Sequence, residues 1–121
     1  RARLLVIDDE PLFGVSVRRA LGTEYTVVAA AGAAEALLAL EGGATFDAIL
    51  CDLFMPGLSG EDFYDKLSRV APGMLGRLIF VSGMPPTHRI RLLVQRTRVP
   101  VLEKPFEVEA LLRHLHELIR S

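Results

Sequence analysis

The sequence predicts an α/β fold in which a parallel sheet is covered by helices on both faces. Two observations carry this prediction. First, short apolar runs alternate five times with stretches that repeat apolar residues at helical spacing. Second, the first of these runs, at 3–7, begins with an arginine and continues with four consecutive apolar residues. A run that does not alternate with polar residues is typical of a strand buried on both faces. Strictly alternating strands and helices form crossover units, so the strands are expected to lie parallel in one sheet.

Each element has its own local signals. The first strand, at 3–7, stops at the acidic pair Asp8 and Asp9, and a helix over 11–21 begins at Pro11 and ends before Gly22. Thr87 is a candidate N-cap for the fourth helix. The remaining strands are predicted at 26–30, 46–51, 77–81 and 100–102, and the remaining helices at 33–40, 60–70, 87–95 and 107–120.

Composition narrows the class of protein. The 121 residues suit one domain, and 14 basic against 15 acidic residues provide no overall positive charge for nucleic acid. The basic residues between 88 and 98 are interpreted as a solvated helix face rather than a phosphate-binding patch. A single cysteine excludes an internal disulfide and a multi-cysteine zinc site.

The hydropathy of the sequence and its first residues bear on cellular location and domain organisation. No apolar run reaches the roughly 18 residues of a membrane span, and no signal peptide is present, so a cytoplasmic location is expected. The chain starts at Arg1 rather than Met and enters a strand almost at once. We therefore expect residues 1–121 to be one domain excised from a longer multidomain protein.

Polar residues stand where the strands end. Asp8 and Asp9 follow strand one, Asp52 follows strand three, Ser82 follows strand four, and Lys104 follows strand five. Taken singly, these residues suit ordinary structural roles: Asp9 could be a helix N-cap, Ser82 a turn residue and Lys104 a solvated surface residue. Ligands of open parallel sheets bind beyond the carboxyl ends of the strands, so together the five residues predict a site at that edge.

The chemistry of this set points to phosphoryl transfer. Clustered carboxylates repel unless a cation neutralises them, and oxygen ligands on a rigid edge suit Mg²⁺. A carboxylate can attack phosphorus, and an ammonium and a hydroxyl can stabilise the charge on the phosphoryl oxygens. There is no glycine-rich phosphate loop, so direct ATP binding is not supported. The prediction is that Asp52 accepts a phosphoryl group in a Mg²⁺-dependent pocket.

The polar residues at the strand ends stand within four characteristic segments: 4–11 (LLVIDDEP), 52–60 (DLFMPGLSG), 80–83 (FVSG) and 103–106 (EKPF). Together these segments resemble the receiver domain of two-component response regulators. The segment 98–106 resembles that of receivers fused to hybrid sensor histidine kinases. The resemblance covers essentially the whole chain in order and spacing. It implies a flavodoxin-like (CheY-like) doubly wound sheet of five parallel strands, in the order 2-1-3-4-5, with five helices.

The resemblance also implies roles for the acidic residues. Asp52 would accept phosphate from a histidine kinase or a histidine phosphotransfer domain. Asp9, Asp52 and the backbone carbonyl of Phe54 would ligate Mg²⁺ directly, and Asp8 would act through a water molecule.

Further roles and two departures concern the rest of the site. Ser82 and Lys104 would contact the phosphoryl group, and the bond between Lys104 and Pro105 would be cis. Val101 stands where most relatives carry Tyr or Phe, so the aromatic side chain of the family's usual switch is missing at this position. Phe54 stands where many relatives carry a polar residue, beside the path of a hydrolytic water.

Three alternatives to a hybrid-kinase receiver are open. The chain could be a stand-alone single-domain regulator, or a receiver-like interaction module that is not phosphorylated. A Mg²⁺ phosphohydrolase with an aspartyl nucleophile is disfavoured, because Phe54 stands where such enzymes usually place a second acid.

Overall fold

The computed structural model describes residues 1–120, and they form alternating strands and helices along the chain. The strands are β1 (Ala2–Ile7), β2 (Tyr25–Ala30), β3 (Ala48–Asp52), β4 (Leu78–Ser82) and β5 (Val101–Glu103). The helices are α1 (Pro11–Leu21), α2 (Ala33–Glu41), α3 (Gly60–Val70), α4 (His88–Thr97) and α5 (Val108–Arg120), with a 3-10 helix at Pro72–Arg77. All strand pairs are parallel, and the sheet order is β2-β1-β3-β4-β5, as predicted.

Two apolar layers enclose the sheet. One layer packs alternate residues of β1, β3 and β4, such as Ile7, Ile49 and Phe80, against α2, α3 and α4. The other packs the intervening residues, such as Val6 and Leu50, against α1 and α5. The central strands are therefore buried on both faces, which explains why their sequences are apolar without alternation.

Element bounds agree with the prediction to within one or two residues, and the differences have local causes. Phe46 was assigned to the third strand, but β3 begins at Ala48. The Phe46 ring is buried all the same, with the Arg3 guanidinium 5.0 Å from its centroid. The apolar character of Phe46 therefore reports burial in the core and not strand pairing.

The helix α4 begins one residue later and ends two residues later than predicted. Its last residue is Thr97, and Arg98 caps it in the left-handed region with φ of 62°. The 3-10 helix that starts at Pro72 was not predicted either. Neither feature alters the five-strand, five-α-helix architecture.

Part of the basic segment between 88 and 98 is paired with α3. Arg96 contacts Glu61 at 3.3 Å and Asp65 at 3.1 Å, and Arg89 lies 3.8 Å from Glu61. The Arg96 guanidinium also lies 5.5 Å from the centroid of the Tyr64 ring. Exposed pairs of this kind contribute little stability singly, so their main effect is to join α3 to α4 at the surface.

Within residues 1–120, the helices are too short or too polar to cross a membrane.

Candidate acidic functional site

Three carboxylates meet at the carboxyl edge of the sheet. Asp8 and Asp9 follow β1, and Asp52 is the last residue of the neighbouring strand β3. One oxygen from each of the three lies within 4.8 Å of the others. Asp8 and Asp52 are buried and Asp9 is exposed, so the cluster opens to solvent on one side. The predicted convergence of the three acids is confirmed, and they form an oxygen-ligand pocket that could hold a divalent cation.

Asp8 is held from two sides. Its Oδ2 accepts a 2.7 Å hydrogen bond from Lys104 Nζ, and its Oδ1 accepts one of 2.8 Å from the backbone N–H of Glu10. The Lys104 ammonium also lies 4.1 Å from the centroid of the Phe13 ring, a cation–π distance. The lysine is thus brought into the site as predicted, but its direct partner is Asp8.

Asp9 does not cap a helix. Glu10 occupies the N-cap position of α1, and no side chain makes a capping hydrogen bond there. The alternative interpretation of Asp9 as an N-cap is therefore wrong. Its carboxylate is left at the mouth of the pocket, where it can serve as a ligand.

Burial raises the pKa of Asp52 above the ordinary value for aspartate. The backbone N–H of Phe54, 3.3 Å from Asp52 Oδ1, and the Lys104 charge oppose this rise, whereas the charges of Asp8 and Asp9 add to it. The ionised form of Asp52 is thus destabilised in this pocket relative to the protonated form. A bound cation would relieve this destabilisation, so the electrostatics of the site fit a metal ion.

The loop from β3 to α3 is fixed by the start of α3. Ser59 and Asp62 form a reciprocal capping box, with hydrogen bonds of 3.1 and 3.0 Å. At Gly60 a Cβ atom would lie 2.8 Å from the carbonyl oxygen of Asp52 and 2.9 Å from Leu53 Cα. Only glycine allows α3 to approach the end of β3 this closely. The sequence pattern placed Gly60 at the start of a helix and at the end of the segment 52–60, but gave no sign of this close approach.

Ser82, buried at the end of β4, is hydrogen-bonded within its own loop. Its Oγ accepts a hydrogen bond of 3.1 Å from the backbone N–H of Met84 and donates one of 3.0 Å to the Met84 carbonyl. The β5 end is joined to it by the Lys104 N–H, 2.7 Å from the Ser82 carbonyl oxygen, and the bond between Lys104 and Pro105 is cis. Ser82 and Lys104 therefore flank the same edge, as predicted. Sequence reasoning missed Met84, because nothing in a Gly-Met-Pro-Pro loop signals a partner for a serine.

Two clefts border the site on the side of α4. The first, of about 310 Å³, lies between the β3–α3 loop and α4, and we call it the α3–α4 cleft; it is lined by Leu53, Phe54, Met84, Ile90 and Leu93. The second, of about 400 Å³, lies between α4 and β5, and we call it the α4–β5 cleft; it is lined by Ser82, Met84, Ile90, Val94 and Val101. Phe54, which lines the α3–α4 cleft, is 49% exposed.

Residues 4–116 match the response regulator receiver domain family. The chain therefore belongs to the receiver domains of two-component systems, as its acidic cluster and strand order indicate.

Similar proteins include both regulators and sensor kinases. The chain is 31% identical to the nitrate/nitrite response regulator protein NarL of Escherichia coli over 96% of its own length and 54% of NarL. It is 31% identical to the sensor kinase CckA of Brucella abortus over 99% of its own length and 13% of CckA. The chain thus spans about half of NarL and a small part of CckA.

Solved structures agree with this fold. The chemotaxis protein CheY4 of Vibrio cholerae superposes with a TM-score of 0.84 at 25% identity, over 97% of this chain and 98% of that one. A CheY-like receiver domain protein of Methanospirillum hungatei superposes with a TM-score of 0.86 at 26% identity, over 98% of this chain and 94% of that one.

Proposed function

We propose that Asp52 accepts a phosphoryl group from a phosphohistidine donor in the presence of Mg²⁺, and that the added charge switches the domain. The observation that carries the proposal is the meeting of the buried Asp52 carboxylate with two further carboxylates within 4.8 Å and with an ammonium at the same edge. A structural role would not require three acids to be held together at the cost of mutual repulsion.

Phosphoryl transfer would use three side chains of this chain, those of Asp52, Lys104 and Ser82. An Oδ of ionised Asp52 attacks the phosphorus, the bond between phosphorus and the histidine nitrogen breaks, and that nitrogen keeps the electron pair. The product is an acyl phosphate on Asp52 and a free imidazole. The Lys104 ammonium, already at this edge, and the Ser82 hydroxyl are the groups that would contact the phosphoryl oxygens.

Mg²⁺ would neutralise charge on the carboxylates and on the phosphoryl oxygens. Asp9, Asp52 and the Phe54 carbonyl would hold it directly. The hydrogen bonds that occupy both Asp8 oxygens support an indirect role for Asp8, through water. This division of roles agrees with what the sequence resemblance implies.

The partner we propose is a histidine kinase or histidine phosphotransfer domain. A cleft of about 520 Å³ lies between α1 and α5, next to Lys104, and its lining includes Phe13, Phe106 and Val108. Nearby on α1, Leu12 is 75% exposed and Val15 is 43% exposed. Exposed apolar area of this kind beside the acceptor suits the docking of a helical donor.

We propose that this domain is cytoplasmic and belongs to a hybrid sensor histidine kinase, with a stand-alone single-domain regulator as the alternative. The similarity to CckA and to the sensor histidine kinase TmoS of Ectopseudomonas mendocina supports the first, and the similarity to NarL supports a regulator. The domains that adjoin this one in the full-length gene distinguish the two contexts.

The test is intact mass after incubation with acetyl phosphate and Mg²⁺. The parent should gain one phosphoryl group, with acetate as the leaving group, and Asp52→Asn should gain none. Glu24→Gln, which removes an exposed carboxylate far from the site, is the matched control and should be labelled like the parent. Labelling of Asp52→Asn to the parent's extent would contradict the assignment, and an unlabelled parent would favour the interaction module.

A further inference from the structure

The Lys104 side chain reaches across the carboxyl edge of the sheet. Lys104 directly follows the edge strand β5, and its Nζ donates the 2.7 Å hydrogen bond to Asp8, which follows β1. The strands β3 and β4 lie between these two strands in the sheet. A lysine has a flexible four-carbon stem and loses much conformational freedom when its ammonium is held in one place. A group that holds this ammonium beforehand therefore lowers the cost of using it in phosphoryl transfer.

The Phe13 ring is in position to hold that ammonium. Its centroid lies 4.1 Å from Lys104 Nζ, well within the roughly 6 Å of a cation–π contact. Phe13 stands in the first turn of α1, directly beyond the acidic pair that follows β1, and the Lys104 side chain is only 24% exposed. Partial burial strengthens the attraction, because less water competes for the ammonium. The ring of Phe13 thus contacts the same cation as the Asp8 carboxylate.

A second aromatic ring fixes the orientation of the first. The ring centroids of Phe13 and Phe106 are 6.1 Å apart and their planes cross at 86°, the edge-to-face arrangement that aromatic quadrupoles favour. Both rings are half-buried and pack against the apolar layer that includes Val17 and Leu111. Phe106 lies two residues after Lys104. The segment that carries the lysine therefore also braces the ring that contacts it.

A neutral ring suits this place better than a further carboxylate would. Asp8, Asp9 and Asp52 already concentrate negative charge at this edge, and an incoming phosphoryl group adds more. The face of an aromatic ring attracts the ammonium without adding net charge that would repel that group. The ammonium has three N–H donors and the hydrogen bond to Asp8 uses one, so donors are left for the phosphoryl oxygens.

We propose that Phe13 is a positioning residue for phosphoryl transfer. Its ring holds the Lys104 ammonium at the carboxyl edge of the sheet, where that ammonium stabilises the charge on the phosphoryl oxygens. Phe13 acts through Lys104 and not on the phosphoryl group itself. This inference rests on the proposed function, since it requires Lys104 to act on a phosphoryl group that is transferred to Asp52.

The experiment replaces Phe13 by phenylalanines that carry one, two and three ring fluorines. Each fluorine withdraws electron density from the face of the ring and weakens the cation–π attraction, while the size of the ring changes little. Phosphorylation by acetyl phosphate at saturating Mg²⁺ is followed by intact mass. The rate should fall stepwise along the series. Phe13→Leu, which keeps an apolar contact but has no ring face, should be phosphorylated more slowly than the parent by roughly three- to tenfold.

Phe46 provides a matched control. Its ring also faces a cation, with the Arg3 guanidinium 5.0 Å from its centroid. Phe46 precedes β3, however, whereas Asp52 is the last residue of that strand, so the two lie at opposite edges of the sheet. The same fluorinated series at Phe46 should leave the phosphorylation rate unchanged.

NMR of the protein with ¹³C-labelled lysine tests the contact itself. The sequence has two lysines, and Lys66, exposed on α3, is the internal reference. The ring current of Phe13 should place the Lys104 Hε signal upfield of that of Lys66. Phe13→Leu should move the Lys104 signal downfield, toward that of Lys66.

The outcomes separate the two proposals. A phosphorylated parent with equal rates across the Phe13 series overturns the positioning role even if Phe13→Leu is slow, because that loss would then reflect packing alone. A Lys104 signal that Phe13→Leu does not move also overturns it. A parent that gains no phosphoryl mass overturns the proposed function, and this inference falls with it.

Discussion

Replacing Asp52 by Asn should stabilise the domain when no Mg²⁺ is present. The substitution removes one of three clustered negative charges but keeps the side-chain shape. The Asn carbonyl can still accept the hydrogen bond that the Phe54 N–H donates at 3.3 Å. The main change is therefore electrostatic.

The magnitude follows from the spacing of the carboxylates. Two unit charges 4.8 Å apart repel by about 3.5 kcal/mol at an effective dielectric constant of about 20. Lys104, 2.7 Å from Asp8, offsets much of one such repulsion, and solvent around the exposed Asp9 weakens the other. We expect a net gain of about 1–2 kcal/mol in the free energy of unfolding, which for a domain of this size raises Tm by roughly 4–8 °C.

The assay is thermal unfolding in EDTA at neutral pH, followed by circular dichroism, and repeated with Mg²⁺. Mg²⁺ should raise the Tm of the parent more than that of Asp52→Asn, so the gap between the two proteins should narrow. Glu24→Gln is again the matched charge control and should change Tm little.

The pH dependence has a definite sign. Because the folded-state pKa of Asp52 is raised, the folded parent binds more protons than the unfolded chain, and its stability falls as pH rises through this window. The advantage of Asp52→Asn should therefore vanish below the ordinary aspartate pKa of about 3.9 and be complete above the raised folded value. If Asp52→Asn were equal to or less stable than the parent in EDTA at neutral pH, the electrostatic reasoning would be refuted.

Four further predictions concern single residues. In calorimetric titrations, Asp9→Asn should weaken Mg²⁺ binding more than Asp8→Asn, because loss of a direct ligand costs more affinity than loss of a contact through water. The reverse ranking would make Asp8 the direct ligand and Asp9 the one that acts through water. Phe54→Asn should speed loss of the phosphoryl group from phosphorylated Asp52 by roughly tenfold, because a polar side chain can orient the in-line water that Phe cannot. Equal rates for the two proteins would mean that Phe54 does not slow this hydrolysis. Gly60→Ala should lower the free energy of unfolding by about 2–3 kcal/mol in urea titrations, because the new methyl group would meet backbone atoms at 2.8 and 2.9 Å. An unchanged urea midpoint would show that the β3–α3 loop shifts to accommodate the methyl group at no cost. Arg98→Gly should raise that free energy by about 0.5–1 kcal/mol, since φ of 62° suits glycine, and a lower midpoint would contradict this assignment of strain.

The acidic cluster was predictable because a strand end is marked in the sequence. The apolar run of β1 stops at Asp8, and that of β3 stops at Asp52. In a parallel sheet these ends lie at one edge, so adjacent strands bring their following residues together without any knowledge of side-chain conformation. The strand order came from the resemblance and not from the pattern of elements.

The finer contacts were not predictable for a physical reason. Whether Lys104 meets Asp8 or Asp52, and whether the Ser82 hydroxyl faces Asp52 or Met84, depends on side-chain rotamers and on loop geometry. These choices differ by small energies that a pattern of residue types does not encode. The start of β3 was misplaced for a related reason, because a buried Phe46 outside the ladder has the same apolar signature as one within it.

The placement of Asp52 in a central strand has a consequence for amide hydrogen exchange. All five residues of β3 are buried, and the strand is paired with β1 on one side and β4 on the other. Amides in such a strand exchange only through large-scale opening, whereas those of the exposed loop that begins at Gly83 exchange through local fluctuations. Asp52 is therefore expected to lie in the slowest-exchanging part of the domain, whereas the loop that begins at Gly83, at the end of the adjacent strand β4, is expected to exchange fast.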